Sequence, residues 1–245
     1  MQNWKKITKF IEILTVGKFR KQLLLKGVAA GVEHIPVLRS IKPIDFVVDV
    51  GANRGQFSIA ARYIFPEARF IYFEPISFAA EKLKSTLSDQ GGKIDVHEVA
   101  LGSTRQTSKL HLSRREDSSS LLSIGSVQEE IFQGTEEVGF KEVSEAPLSD
   151  FISAGDFQER GDALLKIDVQ GYELEVLRGC AKLISYFKWV YIECSYVELY
   201  VNQSLASEVI DWLSERDFLL SGVYNTYYDR SGRAIQSDLL FRNSK

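Results

Sequence analysis

Two short stretches of this sequence carry residues able to do chemistry. In the first, Asp49-Val-Gly51-Ala52-Asn53-Arg-Gly55 follows a β-branched apolar run and precedes a helix-patterned segment. Glycines at 51 and 55 let the backbone turn tightly and approach a ligand closely. The helix start that follows offers unpaired N–H groups to an anion or carboxylate. Glu74 ends the next apolar run, 25 positions after Asp49. A carboxylate there can accept hydrogen bonds from both hydroxyls of an adenosine ribose. In the second stretch, Lys166 and Asp168 close another β-branched run, two residues apart and therefore on one face of a strand.

Three cofactor classes compete for the glycine loop. A dinucleotide requires G-x-G-x-x-G, which Gly51-x-x-x-Gly55 does not supply. A nucleoside triphosphate requires G-x-x-x-x-G-K-[ST], which is absent. S-adenosylmethionine (SAM) carries no phosphate, so a looser glycine pair with a preceding acid suffices, Asp49 reaching toward the ammonium of the methionine moiety. A loop whose glycines serve only strand-to-helix packing is the plainer alternative. Glu74 tips the balance to SAM.

The elements that position these residues follow from periodicity. Ile44–Val50, Arg69–Glu74, Ile94–Leu101, Ala163–Val169 and Trp189–Ser195 read as strands. Gln56–Phe65, Ser77–Asp89, Tyr172–Ile184 and Ala206–Arg216 read as helices, with a further helix near Leu148–Ile152. Strand and helix alternate at βαβ spacing, which predicts an α/β fold with a parallel sheet covered on both faces. Residues 218–224 and 237–242 read as a closing hairpin around Asp229–Gly232. Residues 102–145 break the rhythm and read as an insertion with a short hairpin and a mobile loop. Residues 2–28 carry helix-period apolar positions (Trp4, Ile7, Ile11, Leu14), broken near Gly17. The expected organisation is an N-terminal helical extension over 1–43 and a catalytic domain over 44–245.

Composition is ordinary for a globular chain, 44% hydrophobic and 26% charged, so a full core can be buried. The net charge of −3 hides an asymmetry. Residues 1–43 hold nine Lys/Arg against Glu12 and Glu33, a net of +7, and the remainder carries −10. That basic front meets an anionic partner, lies over the acidic body or is simply solvated. No apolar run reaches 18 residues and no secretory pattern opens the chain, so no membrane span is expected. Two cysteines without zinc-ligand spacing suit a reduced, cytoplasmic setting.

Taken together, Val47–Phe57 (VVDVGANRGQF), Phe73–Pro75 (FEP), Ala100–Gly102 (ALG), Ser118–Leu121 (SSSL) and Leu165–Gly179 (LKIDVQGYELEVLRG) resemble the FkbM family of SAM-dependent methyltransferases. The resemblance runs over roughly residues 27–200, Gly31–His34 included as a lead-in. It implies a seven-stranded, Rossmann-like class I methyltransferase sheet and O-methylation of a hydroxyl on a small-molecule, sugar or glycan-like acceptor. By motif, Asp49, Gly51, Ala52, Asn53, Gly55, Glu74 and Pro75 would contact SAM, and Ala100–Leu101 would lie near the adenine. Lys166, Asp168 and Glu173 would stand where the methyl group emerges. The family commonly has glutamate where this chain has Gln170, which leaves the role of an acid there open.

Methyl transfer to an alcohol needs in-line positioning and help in removing the hydroxyl proton. Asp168 is the expected general base, with Lys166 as its ion-pair partner; capping of the next helix is its structural alternative. Asp168 and Glu193 offer a divalent cation only a thin oxygen set, so no metal site is assigned. His97 reads as structural, and His111 as an outside candidate base. Ser118–Ser120 and the tyrosines 196, 200, 224, 227 and 228 are candidate acceptor contacts or plain surface residues. The N-terminal helices serve as lid, packing element, dimer contact or membrane-surface patch. Two alternatives remain: an N- or nucleic-acid methyltransferase, weakened by Asp168–Gly171 (DVQG) standing where a D/N-P-P-Y/F segment belongs, and a SAM-binding module without transfer.

Overall fold

The computed structural model describes residue 9 and residues 11–91, 93–158 and 161–245. Its frame is one seven-stranded sheet whose strands follow the apolar runs. They are β1 (Phe46–Val50), β2 (Arg69–Phe73), β3 (Asp95–His97), β7 (Ala163–Ile167), β8 (Trp189–Ser195), β9 (Phe218–Tyr228) and β10 (Ala234–Asn243). The spatial order is β3-β2-β1-β7-β8-β10-β9. The first five are parallel, and β10 runs antiparallel to both β8 and β9. Every residue of β1 and β7 is buried, as expected for central parallel strands covered on two faces. The chain leaves β1 toward β2 and later returns on its other side at β7. The carboxyl ends of β1 and β7 therefore flank the point where such sheets hold ligands.

One apolar cluster covers each face. On the first, Val48, Ile71, Leu165 and Ile192 pack against α6 (Glu173–Gly179) and α7 (Ala206–Ser214). On the second, Val47, Phe70, Leu164 and Tyr191 pack against α3 (Gln56–Ile64) and α4 (Ser77–Leu87). The N-terminal segments α1 (Gly17–Lys26) and α2 (Ile35–Ser40) join this second face through Phe19, Val37 and Leu38. The helix expected over 2–28 is interrupted at Val16; Trp4 and Ile7 lie outside the described residues.

Three expected elements differ. The strand drawn over Ile94–Leu101 is two: β3 pairs with β2 only as far as His97, and β4 (Ala100–Leu101) turns away to pair with β6 (Glu137–Ala146). The helix drawn over Tyr172–Ile184 ends at Gly179, where a Cβ would stand 2.0 Å from the Gly102 carbonyl oxygen. That close approach locks the helix end against the turn after β4. The insertion is more regular than its composition implied. β5 (Gln106–Ser113) and β6 form a long antiparallel hairpin, and α5 (Ser126–Ile131) lies between them. It brings a small core of its own, Leu122, Ile124, Ile131 and Phe132 packing on Val197, Leu199, Tyr200 and Ile235.

Candidate active site

A cavity of about 390 Å³ opens over the carboxyl ends of β2, β1, β7 and β8, a size ordinary for a small-molecule site. Its floor is the turn after β1. The Gly51 and Ala52 N–H groups donate to the Phe73 carbonyl at 3.0 and 3.1 Å, and the Asp168 N–H donates to Val50 at 3.1 Å. Gly51 has φ +72°, and a Cβ there would lie 1.8 Å from the Asp168 carbonyl oxygen. Only glycine lets the two strand ends converge so closely. Asn53 also adopts positive φ (49°), which asparagine tolerates. Its N–H thereby donates to Glu74 Oε2 at 2.8 Å.

Glu74 is buried at the end of β2, and its other oxygen accepts the Ile76 N–H at 2.9 Å. Burial raises its pKa to about 7, against the pull of those two donors. Each carboxylate oxygen has a second lone pair, so the group still offers acceptors to the cavity. Pro75, Ile76, Ala79, Val99, Ala100 and Leu101 give this end an apolar lining.

The opposite end is charged. Lys166 Nζ lies 3.3 Å from Asp49 Oδ1 and 3.8 Å from Asp168 Oδ2, and donates to the Gly51 carbonyl at 3.1 Å. Burial alone would lower its pKa, but the Asp49 and Asp168 charges outweigh it and hold the ammonium above its ordinary value. Asp49 is fully buried beneath the floor, its Oδ2 accepting from Ser58 at 2.7 Å. Its Oδ1 makes no hydrogen bond and is met by the Lys166 ammonium.

Gln170 sits between two acids. Its Nε2 donates to Asp168 Oδ1 at 2.7 Å and to Glu193 Oε2 at 3.0 Å. Gln236 donates to the other Glu193 oxygen at 2.8 Å. Burial, then the nearby charges of Asp168 and Asp238, push the Glu193 pKa well up. Gln170 holds φ +57°, and the bonds of its side chain and carbonyl compensate that strained backbone. The insertion closes the roof on the same residue. Ser120 Oγ donates to the Gln170 carbonyl at 2.6 Å, and the Tyr200 hydroxyl lies 3.0 Å from both Gln170 Oε1 and the Ser118 carbonyl.

Of the residues singled out in the sequence, Gly51, Ala52, Asn53, Glu74, Pro75, Ala100, Leu101, Lys166 and Asp168 line this one cavity. Asp49, Gly55 and Glu173 stand behind its wall. Gly55 caps α3, and Glu173 accepts the Val169 and Gly171 N–H groups at 3.3 and 2.9 Å, holding the turn that carries Gln170. Burial raises the Glu173 pKa to about 7. Ser118–Ser120 line the roof, while none of the five tyrosines touches the cavity. His111 faces Glu137 and Ser123 away from it, and His97 stacks on Phe73. No group of three or more metal-ligating side chains occurs among the described residues. His34, Gln56, Phe57 and Gln236 also line the cavity; the first three stand in segments that carry the resemblance, but none of the four was assigned a role there. A second hollow of about 280 Å³ adjoins it, edged by Arg54, Arg114 and Arg115; Arg54 is ion-paired with Glu116 across the entrance.

A model of the methyltransferase FkbM domain matches residues 49–220. The chain belongs to this family. It is therefore a methyltransferase, and membership implies SAM as methyl donor. The chain is similar to the 2-O-methyltransferase NoeI of Sinorhizobium fredii, 23% identical over 270 residues that span 95% of this chain and all of that protein. It is also similar to Methyltransferase 1 of Beauveria bassiana, 28% identical over 55% of this chain and 57% of that one. Among solved structures, an FkbM methyltransferase from Methylobacillus flagellatus superposes on 81% of this chain and 43% of its own, with 17% identity and a TM-score of 0.52. That likeness shows the fold, a Rossmann-like class I methyltransferase sheet. No helix among the described residues is long and apolar enough to cross a membrane.

Proposed function

We propose that this FkbM methyltransferase moves the methyl group of SAM to a hydroxyl oxygen of a small-molecule or glycan-like acceptor. The observation that carries the reading is Glu74, a buried carboxylate with each oxygen already tied to one backbone N–H and still facing the cavity. That arrangement fits a vicinal diol, as on a ribose. The apolar lining that includes Ile76 and Leu101 suits adenine, and Asn53 completes the turn around the sugar. At the other end, Asp49 and Asp168 share the one Lys166 ammonium that meets them both, an excess of negative charge that favours a ligand carrying positive charge. When bound, SAM supplies an electrophilic methyl group on a sulfonium.

Asp168 then acts as the acceptor-side carboxylate. Gln170 and Lys166 fix its two oxygens in place, which suits it to hold the incoming hydroxyl in line with the methyl group. Glu173 supports that turn from behind. The roof formed by Ser118–Ser120 excludes water, and the arginine-edged hollow beside it gives the acceptor a polar entrance. The name of the NoeI relative, a 2-O-methyltransferase, supports oxygen as the receiving atom.

Calorimetric titration with SAM and S-adenosylhomocysteine tests the donor half. Radiolabelled methyl transfer to a panel of methyl pyranosides, alditols and catechols tests the other. SAM binding with product on an oxygen is the expected result. Binding with no product on this panel but methylation of amines or RNA would overturn the acceptor class.

A further inference from the structure

His34 precedes α2 and packs edge-on against Phe57 and Tyr191, with ring centroids 5.3 and 5.7 Å away. It also lines the cavity, 18% of its side chain remaining accessible. Behind it runs a buried chain of hydrogen bonds. The Tyr191 hydroxyl donates to Asp238 Oδ2 at 2.7 Å, and Asn225 donates to the same oxygen at 2.7 Å. Burial, reinforced by the Asp238 charge, pushes the Tyr191 pKa up, so the phenol keeps its proton.

A hydroxyl has one hydrogen, and here the carboxylate takes it. The Tyr191 oxygen can then only accept, and His34 Nδ1, 2.9 Å away, must be the donor. The ring is thereby fixed with its proton on Nδ1 and a lone pair on Nε2. No hydrogen bond among the described residues uses Nε2. An imidazole held in one tautomer by a buried acid, with the other nitrogen unengaged beside a substrate cavity, has the orientation a general base requires. His34 and Asp238 both fall outside residues 49–220, the span that the family model matches.

We propose that His34 is the base that removes the acceptor's hydroxyl proton, oriented by Tyr191 and, through it, by Asp238. This rests on the methyl-transfer reading given above. The acceptor's O–H bond breaks toward Nε2 as its oxygen bonds to the methyl carbon. The bond from that carbon to sulfur breaks with its electron pair left on sulfur, giving a neutral thioether. The imidazolium formed keeps its Nδ1–H on Tyr191, with Asp238 Oδ2 3.6 Å from Nδ1, and returns its proton to solvent after product leaves.

The 245-residue chain labelled with ¹⁵N-histidine has three imidazoles, and His34→Asn assigns the signal of interest. Long-range proton–nitrogen correlation should show His34 protonated on Nδ1 and bare on Nε2. The opposite tautomer overturns the proposal whatever the acceptor panel yields. With an acceptor from the panel, His34→Asn, which keeps a donor toward Tyr191, should lower kcat by about 10²–10⁴-fold and leave the SAM dissociation constant within about threefold. Exogenous imidazole should restore part of the turnover of His34→Ala. Tyr191→Phe should lose turnover with unchanged SAM affinity. An unchanged kcat in His34→Asn, or SAM affinity falling in step with turnover, refutes the assignment. If the wild-type protein binds no SAM, the donor reading itself fails; normal SAM binding with the wrong tautomer sinks only the role of His34.

Discussion

Replacing Glu74 by glutamine changes one oxygen to an amide and almost nothing in shape. In the native site, Oε2 accepts the Asn53 N–H and Oε1 the Ile76 N–H. Whichever way the glutamine amide turns, its NH₂ meets one of those N–H groups, and the ligand loses a charged acceptor. A hydrogen bond to a charged group contributes about 1.5–3 kcal/mol. SAM affinity at pH 8 should therefore fall roughly 10- to 150-fold. Stability moves with pH in the opposite sense. Folding raises the Glu74 pKa from 4.5 to about 7. The stability this acid contributes is complete below pH 4.5 and is lost as pH rises through 7, about 3 kcal/mol by pH 8. Glutamine has no such loss, so Glu74→Gln should be less stable than wild type at pH 5 and close to it at pH 8. Urea unfolding at the two pH values and calorimetric SAM titration at pH 8 measure both effects. A SAM dissociation constant within threefold of wild type would refute Glu74 as the diol acceptor. A pH-independent stability difference would refute the buried-acid argument.

Other substitutions probe the frame around it. Glu173→Ala strands the Val169 and Gly171 N–H groups and should cost about 2–5 kcal/mol in urea unfolding. Glu173→Gln keeps the accepting oxygen and should be the more stable of the two, gaining on wild type as pH rises from 4.5 through 7, where the native acid's raised pKa costs stability. Gly51→Ala drives a methyl group into the Asp168 carbonyl and should lower Tm by roughly 6–12 °C, with SAM binding lost; an unchanged melt would contradict the close approach of β1 and β7. Gln170→Glu sets a third carboxylate between Asp168 and Glu193. It should destabilise at pH 8 more than at pH 5, and Mg²⁺ or Mn²⁺ should then raise its melting temperature beyond any effect on wild type.

The central strands were legible because both faces are buried. Phe46–Val50 and Ala163–Ile167 are apolar runs each interrupted by one charged residue, and no helical period fits them. The break between β3 and β4 was not, because the residues between His97 and Ala100 keep an apolar valine, and the change of partner from β2 to β6 lies in the insertion. Gly179 looked like an ordinary helix residue until Gly102 came against it. At the site, strand ends carried the information: Glu74, Lys166 and Asp168 reach the cavity because their strands stop there. Depth was not encoded. Asp49 and Asp168 are both acids at strand ends, yet one lies under the floor and the other in the cavity. His34 stood in the lead-in segment Gly31–His34, but its role was not legible there, since Tyr191 lies 157 positions away and Asp238 arrives on the last strand.

The small apolar cluster beneath the insertion has a dynamic consequence. Leu122, Ile124, Ile131 and Phe132 bury themselves with Val197, Leu199, Tyr200 and Ile235 in a cluster separate from the two that cover the sheet. A segment with its own nucleus of contacts can unfold locally while the remainder stays native. Backbone amides of residues 118–132 should thus exchange with deuterium through a cheaper opening than those of β1 or β7. The same opening releases the hydrogen bonds of Ser120 and Tyr200 at Gln170. Ligand residence time should thereby follow the stability of eight side chains, of which Phe132 alone lines the cavity.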